Sequence, residues 1–253
     1  MEQLRLWEDP LDGEDAPGDE GRAAPRRLRH HRDVFHAWML ADVEFSPVWE
    51  MPVVQRCDAR PARLVPFSQA MDEGCADLGA FVHFFEDDFR FERFWSDPRK
   101  YLPRLSRFAG VVMPDFSVAT DFPAPLKMWA AYRNQLLAAW MQREGLAVVP
   151  AARAQPGCPW LLEGLPRGGT LAVCGRALVK DADERRRFLR DLRTTVEELR
   201  PDVVAYYGST AYGAGELLES FGVEVLIYPG AGRGRLGGGE PGDGEDGGAR
   251  GQR

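Results

Sequence analysis

The chain has 253 residues, of which 44% are hydrophobic, and a net charge of −7 at pH 7. That composition permits a sizeable core and argues against a protein that presents an overall basic surface to nucleic acid. There is no run of about 18 uncharged apolar residues, and the N-terminus is acidic rather than a basic leader before an apolar stretch, so neither a membrane span nor a secretory signal is expected and the protein reads as cytoplasmic.

The charge is unevenly spread. Residues 1–24 contribute −6, residues 25–32 contribute +4 and residues 231–253 are neutral, which leaves −5 for the chain between them. Residues 1–32 therefore read as a disordered tail, first acidic and then basic at Arg26, Arg27, Arg29 and Arg32. His31 and His36 lack the i, i+4 spacing that puts two imidazoles on one helix face, and read as surface histidines. Residues 45–229 carry the pattern of a single α/β domain. Pro52-Val53-Val54 and Leu64-Val65-Pro66-Phe67 are short strand candidates, and Ser68–Leu78 could form a short helix. Two apolar runs follow, Phe81–Phe85 and Val111–Met113, with Ser96-Asp97-Pro98 between them as a helix start. Leu126, Trp129, Tyr132 or Arg133, Leu136, Leu137 and Trp140 recur at helical spacing over 125–144, stopped by Gly145. Strands are expected at 147–150, 170–174, 203–207 and 223–228, with an amphipathic helix over 181–199 and a shorter one over 215–221. Residues 230–253 are a glycine-rich tail that cannot bury a core, and the Gly230-Ala-Gly232-Arg-Gly234 echo of a dinucleotide motif has no helix after it.

This alternation predicts a mostly parallel sheet with outer helices, in which a small or incomplete (β/α) barrel is favoured over an open doubly wound sheet. The carboxyl ends of the strands then share one edge, where α/β proteins bind ligands. Both apolar runs end in acid at that edge, Glu86-Asp87-Asp88 after the first and Pro114-Asp115-Phe116-Ser117 after the second. Asp87, Asp88 and Asp115 are the candidate catalytic residues, because neighbouring carboxylates can divide acid and base roles. Asp87 with Asp115 could also hold Mg²⁺ or Mn²⁺, which prefer oxygen ligands. The plain alternative is that these acids cap helices and bind loop N–H groups. Ser117, Arg133, Tyr207, Gly208 and Ser209 are candidate substrate-binding residues. Arg133 could meet a phosphate or carboxylate, or pair with Asp115, and the loop from Gly208 offers backbone N–H groups at a helix start. That loop lacks the lysine of a P-loop. His83 on an alternating strand reads as a core residue, which leaves a Ser-His-Asp triad without support. The cluster Phe84, Phe85, Phe89, Phe91, Phe94 and Trp95 reads as packing.

Several segments follow one another in a familiar order: FFEDDFRFERFW, VVMPDFS, the helix with Trp129 and Tyr132-Arg133-Asn134, GLAVVP, LLEGLPRGGTLAV and RPDVVAYYGS. Over about residues 70–209 the chain resembles the DUF4417 family. The resemblance implies bacterial, phage or mobile-element origin and names a domain without naming a reaction. Two departures from the family's pattern stand out. Ala151-Ala152-Arg153 occupies the place of a Thr/Ser-x-Trp segment, and Cys174 stands where Ser-Thr is usual near the end of the next strand.

Two functions remain open on this basis. One is a hydrolase acting on a small-molecule or polymer substrate through strand-end carboxylates, with metal assistance as an option. The other is a non-catalytic module that binds protein or nucleic acid through residues 26–32. Cys57, Cys75, Cys158 and Cys174 are widely separated, without a C-x-x-C pair, and read as reduced thiols. No basic stripe is expected in the folded part.

Overall fold

A computed structural model describes residues 33–175 and 181–230; the basic segment 26–32 and the residues after Gly230 lie outside it. Seven strands are present among the described residues: β1 Leu64–Pro66, β2 Phe81–His83, β3 Gly110–Val112, β4 Val148–Val149, β5 Thr170–Cys174, β6 Val203–Tyr207 and β7 Glu224–Tyr228. They form two all-parallel sheets, ordered β1-β2-β3-β4 and β5-β6-β7. A single parallel bridge, Ala151 with Ala172, joins one sheet to the other.

Parallel neighbours need crossovers, and helices supply most of them. These are α1 Phe67–Ala70, α2 Glu92–Ser96, α3 Pro98–Leu105, α4 Ala124–Arg143, α5 Ala182–Leu199 and α6 Ala214–Ser220. Helix α3 starts as expected after Asp97 with Pro98 in its first turn, yet the Asp97 side chain makes no cap hydrogen bond, so the proline's preset backbone carries the start. In α5 the cap is a true one, since Asp181 Oδ1 accepts from the N–H groups of Asp183 at 2.7 Å and Glu184 at 3.2 Å. Gly145 ends α4 at φ 87°, a left-handed conformation that favours glycine.

Strand order follows chain order within each sheet and never reverses. An open doubly wound sheet would reverse at its switch point. The inner faces of the two sheets meet where the rings of His83 and Tyr207 lie 4.5 Å apart and those of Phe85 and Tyr207 lie 5.4 Å apart. On the far side, the Tyr228 hydroxyl donates to the Pro61 carbonyl and Arg60 pairs with Glu224 at 2.9 Å, bringing β7 beside the segment that enters β1. Among the described residues no ladder joins β7 to β1, so the ring of strands is not closed by hydrogen bonds.

The core beside β1–β4 is aromatic. Phe67, Phe84, Phe91, Phe94 and Phe116 are fully buried, with ring centroids 4.7–5.7 Å apart in the pairs Phe67–Phe84, Phe67–Phe94, Phe84–Phe91, Phe84–Phe94 and Phe91–Phe116. Each such burial contributes about 2–3 kcal/mol, which makes this cluster the main anchor of the loops leaving β2 and β3. A second cluster, including Leu171, Val204, Leu192 and Leu218, fills the space between β5–β6 and the helices α5 and α6.

Five expectations fail in detail. Pro52–Val54 is not a strand, because Val53 and Val54 donate to loop carbonyls of Glu44 and Gly164 rather than to a ladder. The helix expected over 68–78 shrinks to Phe67–Ala70. Leu126 is exposed rather than inward, and Phe89 is exposed while the rest of its aromatic cluster is buried. His36 is buried against Trp95, with ring centroids 4.8 Å apart, and its burial lowers the imidazole's pKa below the usual value.

Candidate active site

The strands' shared polarity puts the ends of β2, β3, β4 and β5 on one edge, and a cleft of about 350 Å³ opens there. Glu86, Asp115, Ser117, Asn134, Gln135, Arg153 and Gln155 supply its polar lining, against an apolar wall that includes Phe85, Met113 and Ala172. A volume of this size suits a small molecule or one unit of a polymer.

Asp115 lines the cleft. It leaves β3 after Pro114, keeps some accessible surface, and among the described residues its carboxylate makes no hydrogen bond and no ion pair within 4.0 Å. Burial pushes its carboxyl up to about 6; the Arg153 guanidinium opposes that rise and the negative charge of Asp88 adds to it. Arg153 itself is exposed and pairs with no carboxylate among the described residues; its guanidinium lies 5.6 Å from the Phe188 ring centroid.

The three candidate acids separate into different roles. After β2 the chain makes a 3₁₀ turn over Asp88–Arg90. Asp88 turns toward the β3 loop, where its oxygens accept from the Ser117 N–H at 3.1 and 3.2 Å and from the Ser117 hydroxyl at 2.9 Å. Asp87 is exposed, makes no cap hydrogen bond and does not line the cleft. Asp88, and not Asp87, is thus the acid whose charge reaches Asp115. Glu86, which sequence reasoning passed over, is anchored at 2.7 Å by the Ser68 N–H and at 2.5 Å by the Ser68 hydroxyl. Replacement of Asp88 by Asn is expected to cost about 1–2 kcal/mol, because it weakens hydrogen bonds to a charged acceptor. Replacement of Asp87 by Asn should stay within about 0.5 kcal/mol of wild type. Thermal unfolding of the two variants side by side checks both expectations.

Helix α4 positions the loop that carries Asp115. The Asn134 side chain accepts from the Phe116 N–H at 2.8 Å and donates to the Phe116 carbonyl at 3.3 Å, fixing both backbone groups of one residue. One position earlier, Arg133 lies 3.8 Å from the Phe116 ring centroid and pairs with Glu92 at 3.1 Å. Arg133 is therefore committed to Glu92 rather than Asp115, and it does not line the cleft. Gln155 donates to the Val118 carbonyl at 2.6 Å and accepts from the buried Lys127 ammonium at 3.2 Å. Lys127 also donates to the Thr120 carbonyl at 2.7 Å. Asn134, Gln135, Gln155 and Lys127 were not expected as site residues, and only their inclusion among buried positions of an apolar helix or loop would have flagged them.

The remaining candidates sit apart from the cleft. Tyr207 packs beneath it against His83 and Phe85, while Gly208 and Ser209 follow at the end of β6 and do not line it. The Ser209 hydroxyl accepts from the Ala211 N–H at 3.2 Å. His83 is buried and its Nδ1 accepts from the Phe85 N–H at 3.1 Å, while the Ser117 hydroxyl donates to Asp88. No three His, Cys, Asp or Glu side chains among the described residues converge where they could hold a metal. Asp87, expected with Asp115 as a donor to Mg²⁺ or Mn²⁺, does not line the cleft that holds Asp115, and Asp88 spends its oxygens on Ser117, so the described residues form no protein-built metal cage. None of the four cysteines is in a disulfide.

The fold and cleft define an α/β protein with parallel sheets and a polar pocket at the strand ends. The family described as Domain of unknown function (DUF4417) matches residues 43–222, and the chain belongs to that family. The chain is similar to the "Gene 1 protein" of Mycobacterium phage L5, with 31% identity over 168 residues that cover 65% of this chain and 73% of the phage protein. It is also similar to the "Gene 1 protein" of Mycobacterium phage D29, with 30% identity over 170 residues covering 66% of this chain and 63% of that one. No solved structure matches the chain. Among the described residues, no helix is long and apolar enough to cross a membrane.

Proposed function

We propose that the strand-end cleft is the active site of a hydrolase in which Asp115 transfers the proton. One observation carries this reading: Asp115 is an acid in a pocket, without a bonded partner among the described residues, and its carboxyl is pushed up to about 6. Structural carboxylates bond to donors, as Asp88 and Glu86 do here. A carboxyl that ionises close to neutral pH can take a proton from a water or hydroxyl and return it to a leaving group. Above pH 6 Asp115 is ionised and acts as the base. Arg153, a cation at the rim, supports a substrate with an anionic group near the reacting bond. Asn134 and Asp88 support the reaction by holding Phe116 and Ser117, the two residues that follow Asp115.

The test is a turnover screen over ester, amide, phosphodiester and glycoside substrates with wild type, Asp87→Asn and Asp115→Asn. Wild type and Asp87→Asn should turn over the same substrate, with kcat/KM rising through an ionisation near pH 6. Turnover by Asp115→Asn at the wild-type rate, or none by wild type across the whole panel, removes the reading.

A further inference from the structure

Outside the cleft, α2 and α3 enclose a second groove of about 570 Å³, lined by Arg93, Lys100, Tyr101, Arg104 and Arg107, with Glu73 as the acid in its lining. We propose that this groove is a docking site for the phosphodiester backbone of nucleic acid.

Its charge is unusual for this chain. In a protein of net charge −7, four cations share one concavity, and among the described residues none of them pairs with a carboxylate within 4.0 Å. The nearby acid Glu92 is engaged elsewhere, by Arg133. Arg93, Lys100 and Arg107 are exposed. Arg93 and Lys100 lie over the Tyr101 ring at 5.7 and 5.4 Å, which presents their heads outward on an apolar support. Arg104 has a structural duty as well, donating to the carbonyls of Ala70, Asp72 and Cys75 and so fixing the wall of the groove.

The layout favours a polymer over a single anion. Lys100 and Arg104 are one helical turn apart, about 6 Å along the axis. Arg107 continues that row beyond the helix end, and Arg93 flanks it from α2. A row of cations matches charge repeated along a backbone, whereas a lone phosphate calls for donors that converge on one point. The contact would be independent of sequence, because charge at phosphates positions a duplex without reading its bases. No lining residue is shared with the Asp115 cleft.

The experiment is fluorescence polarisation of a short labelled DNA duplex with the full chain, titrated at several salt concentrations between about 50 and 200 mM. Lys100→Gln and Arg107→Gln are the test variants, since neither side chain makes a hydrogen bond among the described residues and their loss should leave the melting temperature unchanged. A second variant carries Gln at Arg26, Arg27, Arg29 and Arg32. Each groove substitution should lower the slope of log affinity against log salt by about 1, and the pair should weaken binding about tenfold. Those losses should appear equally in the background of the 26–32 variant and of Asp115→Asn. Three outcomes overturn the proposal: no binding by wild type, loss of binding only in the 26–32 variant, or displacement of DNA by inorganic phosphate beyond that seen with chloride at equal ionic strength.

Discussion

Asp115→Asn is expected to raise the melting temperature at pH 7.5 while lowering turnover at least about 100-fold. The stabilising part follows from linkage. In the folded protein the Asp115 carboxyl titrates at about 6, against an ordinary value of 3.8, so folding opposes its ionisation. Between these two values the folded state holds more protons than the unfolded chain, and stability therefore falls as pH rises through that window. Above pH 6 the full penalty applies, about 3 kcal/mol for a shift of about two units. Asn carries no charge to desolvate but leaves an amide in the same pocket, so the expected net gain is about 1–2 kcal/mol, or roughly 4 °C. Below pH 3.8 only the cost of the amide remains and the variant should be about 1–2 kcal/mol less stable than wild type; the difference should change sign as pH rises toward 6 and then level off. On the proposed proton transfer by Asp115, its loss should lower kcat/KM by about 10²–10⁴-fold. Calorimetry from pH 3.5 to about 8 reads the first effect, and a variant that is less stable than wild type throughout would show that Asp115 is a scaffold residue.

The position of Asp115 at the strand-end edge was legible from its place after an apolar run that a crossover helix ties to its neighbour. The division of labour between Asp87 and Asp88 was not. Alternation along β2 stops at His83 and the chain enters a 3₁₀ turn by Asp88, so a period of two no longer tells which side chain turns inward. Helix α4 defeats the helical period for a related reason. From Asn134 to Met141 every side of it is covered, and there the polar Asn134 and Gln135 are buried while Leu126, in the first turn, faces solvent. The basic groove is hidden in the sequence by interleaving, with Glu92 and Asp97 set among Arg90, Arg93, Arg99 and Lys100. Only the fold shows that Glu92 is committed to Arg133. Conversely, the two departures from the family pattern, Ala151-Ala152-Arg153 and Cys174, were visible as sequence, and the fold places all four residues on the wall of the cleft.

Asn134→Ala should be the most destabilising change in the cleft, at about 3 kcal/mol. Its amide closes a two-point clamp on Phe116, whose N–H and carbonyl are both buried beneath Asp115. Alanine leaves both groups without a partner, and an orphaned buried polar group costs about 1–3 kcal/mol. Water cannot easily relieve them, because the Phe116 ring is sandwiched between Phe91, at 4.7 Å, and the Arg133 guanidinium, at 3.8 Å. Asn134→Asp separates positioning from folding. It keeps an acceptor for the Phe116 N–H, loses the donor to the carbonyl, and adds a negative charge near Asp115. In an assay of turnover the ionisation seen near pH 6 should then move upward, as a like charge makes Asp115 harder to ionise. A merely structural role would lower stability without moving that ionisation. If Asn134→Ala instead unfolds within about 0.5 kcal/mol of wild type, the loop is held by the Asp88–Ser117 contacts alone, and the larger loss should shift to Asp88→Asn.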